Sequence, residues 1–114
     1  MKGLPVVLVT NLILRYTYRM KVISNSALRS FAIENPQAEV ALQGWRRVIE
    51  KNGFANWAEL KAAFNTVDKV GDLTVFDIGG NKYRLIVHVR FAKQIVYIKA
   101  VLNHRDYDKG TWKS

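Results

Sequence analysis

The sequence predicts an α+β fold: a mostly antiparallel sheet, laid out as a β-meander, with two to three N-terminal helices packed on one of its faces. Three observations lead there. Apolar residues recur at helical spacing between positions 38 and 49. Beyond position 73 the period falls to two. The two patterns are also segregated along the chain, helices first and strands after, which favours α+β over an alternating α/β order.

Met20–Ile23 reads as a short leading strand, and Ser24 or Asn25 as the cap of a helix carrying Leu28, Phe31 and Ala32 on one side. Asn35-Pro36 stops that helix and opens the next, since proline suits a first helical position. There Ala38, Ala41, Leu42, Trp45, Val48 and Ile49 form an amphipathic stripe, with Gln43, Arg46, Arg47, Glu50 and Lys51 opposite and Gly53 as the terminator. Asn56-Trp57-Ala58-Glu59 is a capping box, so a third, short helix holds Leu60, Lys61 and Phe64. Asn65–Asp72 reads as a polar loop. The meander follows: Leu73–Ile78, a tight Gly79-Gly80 hairpin, Lys82–Phe91, a turn at Ala92-Lys93-Gln94, and Ile95–Leu102.

The chain has 114 residues, 49% apolar and 24% charged, which suits one folded domain and argues against disorder. It contains no cysteine, which removes disulfides and thiolate zinc sites and fits a reducing cytoplasm. Its formal charge is +9, from 18 basic and 9 acidic residues. So basic a small domain suits a polyanionic partner, nucleic acid first among them.

Residues 1–19, MKGLPVVLVTNLILRYTYR, differ from the rest: they hold no acid and are mostly apolar. A secretory signal would share the basic start and apolar core, but Thr10 and Asn11 interrupt the core and no small-x-small cleavage site follows. The run is too short to span a membrane, which takes about 20 apolar residues. An over-called start, with translation beginning at Met20, is the expectation. It divides the chain into an extension, 1–19, and a domain, 20–114.

Alternation sorts the strand side chains. Tyr83, Leu85, Val87, Val89 and Phe91 face one way; Lys82, Arg84, Ile86, His88 and Arg90 face the other. On the last strand Val96, Ile98, Ala100 and Leu102 are the core-facing set, with Tyr97 and Lys99 opposite. The second face is then basic with a tyrosine in it. Cations neutralise phosphates and rings stack on bases, so nucleic-acid contact is expected there. The plainer account is a solvated sheet face with protective edge lysines.

The helix–helix–short helix–meander order, with LKAAF at Leu60–Phe64, GGNKYR at Gly79–Arg84 and NHRDYD at Asn103–Asp108, resembles the HigB family of bacterial toxins. These belong to the RelE-like mRNA interferases of type II toxin–antitoxin systems. The resemblance covers Met20–Gly110. It implies a small RelE-like sandwich, an endoribonuclease that cuts messenger RNA engaged by a ribosome, and silencing by a HigA-type antitoxin in a hetero-oligomer. It implies no metal and no cofactor, a cytoplasmic location and no membrane. The matching positions give His104, Arg84, Tyr107 and Asp108 as catalytic candidates. Lys61, Asn81, Lys82, Arg90, Tyr97 and Lys99 are candidates for RNA binding.

Metal-independent RNA cleavage needs a base for the 2′-OH proton, cations for the phosphoryl oxygens and an acid for the leaving 5′-oxygen. His104 is the natural proton carrier, because an imidazole exchanges protons near neutral pH. Tyr107 could stack on a base or exchange a proton; Asp108 could orient His104 or accept a proton itself. Arg84 and Lys82 suit a phosphate clamp. Each residue also has a quieter account. His104 and Asp108 are four apart and could simply pair across a helical turn. Lys61 could lay its stem beside Phe64, and a left-handed turn explains Asn81. His88 reads as a sheet-surface residue, Trp45 and Trp57 as packing residues, and Trp112 as a loose tail residue. A metal site of His104, Asp106 and Asp108 is disfavoured by poor ligand supply. The competing function is a non-catalytic RNA-binding or interaction module of the same fold.

Overall fold

The computed structural model describes residues 19–113. The expected division at residues 1–19 therefore lies, Arg19 apart, outside the described residues.

Strand β1 (Lys21–Ile23) leads into helix α1 (Asn25–Glu34). Ser24 occupies the N-cap position with a left-handed backbone (φ 75°) and makes no side-chain cap. Asn35 closes α1 twice over: its backbone N–H and its side-chain amide both donate to the Phe31 carbonyl, at 2.8 and 3.1 Å. Pro36 then opens a 3-10 turn (Pro36–Ala38) that runs into α2 (Glu39–Lys51). Helix α2 ends on Asn52, whose side chain donates to the Val48 carbonyl at 2.7 Å. Gly53, expected as the terminator, is not among the residues with positive φ. The capping box holds in part: Asn56 accepts from the Glu59 N–H at 3.0 Å, while Glu59 reaches back to the Ala55 N–H at 2.9 Å. Helix α3 (Trp57–Ala63) follows.

Residues 65–72, expected as loop, contain a strand. β2 (Asp68–Val70) pairs antiparallel with β3 (Leu73–Ile78) across Gly71-Asp72. Asp68, Lys69 and Val70 carry too short a pattern to signal a strand; their pairing with β3 makes one. Strands β4 (Tyr83–Arg90) and β5 (Ile95–Asn103) complete a five-stranded sheet of order β1-β5-β4-β3-β2. Every neighbouring pair is antiparallel except β1 with β5. The β3–β4 turn is longer than a two-residue hairpin. Gly79, Gly80 and Asn81 all have positive φ (63°, 63° and 77°), and Lys82 lies in the turn rather than the strand.

Helices α1–α3 cover one face. Leu28, Leu42, Trp45, Ile49 and Leu60 meet Phe76, Ile78, Tyr83, Leu85, Val87, Val96 and Ile98 in one core, which also buries Met20. Edge-to-face rings pin the layers together: Trp45 on Phe76 (5.3 Å), Phe64 on Phe76 (5.0 Å) and Phe31 on Tyr83 (5.4 Å). Gln94 clips the β4–β5 turn to the α2–α3 loop. Its amide donates to the carbonyls of Phe54 (2.7 Å) and Phe91 (2.9 Å) and accepts from the Phe54 N–H (3.3 Å).

The alternation expected for β5 breaks. Ile86 pairs with Ala100 but Val87 pairs with Ile98, so Lys99 is an extra residue in a β-bulge. Beyond it Val101 packs on the core, whereas Ala100 and Leu102 share the outer face with Ile86 and Arg84. The outer face is also less uniformly basic than β4 and β5 alone suggest, because Asp77 of β3 stands in register with Arg84. Among the described residues no helix is long and apolar enough to cross a membrane.

Candidate active site

Helix α4 (His104–Lys109) follows β5 at once. Asn103 caps it, its side chain accepting from the Asp106 N–H at 2.8 Å. Gly110, at φ 75°, ends it with its N–H on the Tyr107 carbonyl at 3.1 Å. Six residues cannot hold a helix unaided in water, so α4 depends on its caps and on docking against the sheet.

Spacing puts His104, Tyr107 and Asp108 on adjoining turns of α4. Nδ1 of His104 lies 2.9 Å from Oδ2 of Asp108, with the side chains 50% and 60% exposed. Tyr107 points to the sheet. The Arg84 guanidinium lies over its ring at 5.3 Å. The indole of Trp112 stacks on it at 4.9 Å, planes 18° apart. A ring with an indole stacked on one face has only the other to offer a cation, so both faces of Tyr107 are taken. Trp112 is therefore no loose tail residue: its indole N–H also donates to the Tyr107 carbonyl at 2.8 Å. Burial pushes the Tyr107 phenol above its ordinary range, with Arg84 pulling the other way and Asp68, Asp77 and Asp108 adding to the rise.

Arg84 is held as firmly as the ring it covers. Its Nε meets Asp77 at 3.1 Å, and its Nη1 donates to the carbonyls of Asn81 (3.1 Å) and Tyr83 (3.3 Å). These bonds come from the turn and the strand on either side of it, so the β3–β4 hairpin fixes the guanidinium. Among the described residues its Nη2 makes no hydrogen bond, and the side chain as a whole is 11% exposed.

The structure thus gathers His104, Tyr107, Asp108 and Arg84 at one end of the sheet, with Asn81 joined to Arg84 through its carbonyl. Lys82 is exposed in the neighbouring turn. The other candidates lie elsewhere. Lys61 donates to the Val67 carbonyl at 2.8 Å. Arg90 ends β4, six residues and about 20 Å from Arg84 at the usual rise. Tyr97 stands across from His88, ring centroids 6.4 Å apart, and Lys99 is exposed on the bulge. Asp77 and Trp112 also belong to the cluster, though the sequence reading makes neither a site candidate. Opposite charges flanking a glycine turn, Asp77 and Arg84, were a usable signal; for Trp112 there was none.

Residues 38–110 match the family model of the HigB toxin, described as the RelE-like toxic component of a toxin–antitoxin system. The chain belongs to the HigB toxin family. It is 32% identical over 95 residues to the mRNA interferase HigB of Escherichia coli O6:H1, covering 81% of this chain and 92% of that one. It is 35% identical over 92 residues to the mRNA interferase toxin HigB of Escherichia coli K12, covering 78% and 88%. The mRNA interferase HigB of Shigella flexneri matches to the same extent. The HigB match takes in Arg84, His104, Tyr107 and Asp108 and stops two residues before Trp112.

Proposed function

We propose that the chain is the toxin of a type II toxin–antitoxin system, a cytoplasmic endoribonuclease that cuts mRNA during translation and is neutralised by a HigA-type antitoxin. Two things support the reading: HigB-family relatives named mRNA interferases, and the exposed His104–Asp108 pair beside an anchored guanidinium. The pair is the observation that carries it. Even as a full ion pair, a half-exposed contact of this spacing would stabilise a helix by only about 0.3–0.5 kcal/mol, a small return for structure alone.

In the proposed reaction Asp108 accepts a hydrogen bond from Nδ1–H of His104, which fixes the tautomer and turns the Nε2 lone pair outward. Nε2 takes the proton of the 2′-OH, and the resulting oxygen attacks the adjacent phosphorus. The P–O5′ bond breaks, leaving a 2′,3′-cyclic phosphate and a 5′-hydroxyl. Nη2 of Arg84 holds the phosphoryl oxygens as charge grows on them. Tyr107, kept neutral by burial, offers its hydroxyl proton to the departing 5′-oxygen. With both ring faces occupied, it acts through its hydroxyl rather than by stacking on a base. All proton transfers are assigned to side chains, with no metal in the scheme.

The test is induction of the full chain in bacteria with mapping of transcript ends. Growth arrest with new 5′-hydroxyl ends in translated messages, reversed by co-expression of the antitoxin gene beside it, is the expected result. Arrest with intact messages would mean that the chain binds RNA or another target without cutting it.

A further inference from the structure

We propose that Trp112 is the stacking platform for a nucleobase of the RNA strand next to the scissile phosphate, a role that rests on the ribonuclease reading above. Tyr107, whose ring lies under Arg84, has no free face, since the guanidinium and the indole cover it. A base approaching the cluster therefore meets the next ring in the stack. That ring is Trp112, partly exposed, with one face on Tyr107 and the ammonium of Lys113 over it at 5.7 Å.

The indole is also preset. Its N–H is bound to the Tyr107 carbonyl at 2.8 Å, and the 3-10 turn Thr111–Lys113 that carries it is tied back to Gly110 at 3.1 Å. Arg84 is fixed over Tyr107 by three bonds, whereas the cation over Trp112 is the exposed Lys113. An oriented aromatic surface with a displaceable cation, beside a guanidinium, is what single-stranded nucleic acid recognition uses: stacking for the base, cation for the phosphate. A base entering the stack displaces the Lys113 ammonium, which then lies within reach of a flanking phosphate. Stacking tolerates any base and favours the larger purine ring. The HigB family match ends at residue 110, so this platform lies beyond it.

The probe is a short single-stranded RNA, 2′-O-methylated throughout so that it cannot be cut, titrated against the full chain. One base–aromatic stack corresponds to roughly a five- to 140-fold change in affinity. W112A is expected to lose affinity within that range, W112Y to recover most of it, and both to melt as folded proteins. Fluorine NMR of fluorotryptophan-labelled chain adds a direct readout: the Trp112 signal, assigned with W112F, shifts on saturation while those of Trp45 and Trp57 hold still. If W112A binds the oligonucleotide as wild type does, or the Trp112 signal is unmoved, the platform is refuted. A loss of cleavage in W112A with unchanged oligonucleotide affinity also refutes it, showing a prop for Tyr107 instead. Because the probe is uncleavable, this measurement stands apart from whether the chain cuts mRNA.

Discussion

Replacing Arg84 by lysine keeps the charge and removes the fork. In the structure the guanidinium makes an ion pair with Asp77 at 3.1 Å and two bonds to turn carbonyls at 3.1 and 3.3 Å. A lysine ammonium can retain the first and not the geometry of the other two. The two bonds lost have a charged donor, but one of them is exposed and its carbonyl can turn to water, so R84K should be about 1–3 kcal/mol less stable. For a domain of this size that lowers the melting temperature by roughly 4–12 °C. The catalytic effect should be far larger. Losing one oriented donor at a developing oxyanion costs about 100- to 1,000-fold in rate. The assay pairs thermal melting with mRNA cleavage in a translating extract, run well below the melting transition of the variant. A variant that melts early but cleaves at the wild-type rate would reduce Arg84 to a strut for the hairpin.

Further expectations follow from the same contacts. N103A removes the side-chain cap of α4 at a cost of about 1 kcal/mol and slackens the His104–Asp108 turn, so cleavage should fall while N103D keeps both cap and activity; equal activity in N103A would show that α4 needs no cap. For pH, free tyrosine titrates near 10.0 and folded Tyr107 above it. Across that window the folded state holds the extra proton, so stability should drop as pH rises, and denaturation curves of Y107F should lack that share of the drop. Gly79 and Gly80 both sit at φ +63°, so alanine is strained at either, but only at Gly79 would the new Cβ meet the Tyr83 ring, at 3.3 Å. G79A should therefore melt lower than G80A; the reverse order would contradict the packing described.

Local patterns were legible and long-range pairings were not. The α2 stripe, the Asn35-Pro36 break and the alternation of β4 are written in neighbouring residues, and the structure reproduces them except at Val48, which is 43% exposed rather than part of the buried stripe. The bulge at Lys99 depends on how β5 registers against β4, which no spacing within β5 reveals. Strand β2 exists because β3 lies beside it. At the site, the His104–Asp108 pair could be anticipated from i, i+4 spacing. The Arg84–Tyr107–Trp112 stack could not, because it joins a hairpin to a short helix and to the turn beyond it.

One comparison tests the account most directly: the rate of mRNA cleavage by the wild type and by H104Q, both shown to be folded. With His104 as the base, H104Q runs about 100- to 10,000-fold slower than the wild type. An H104Q rate equal to that of the wild type would remove the imidazole from the reaction.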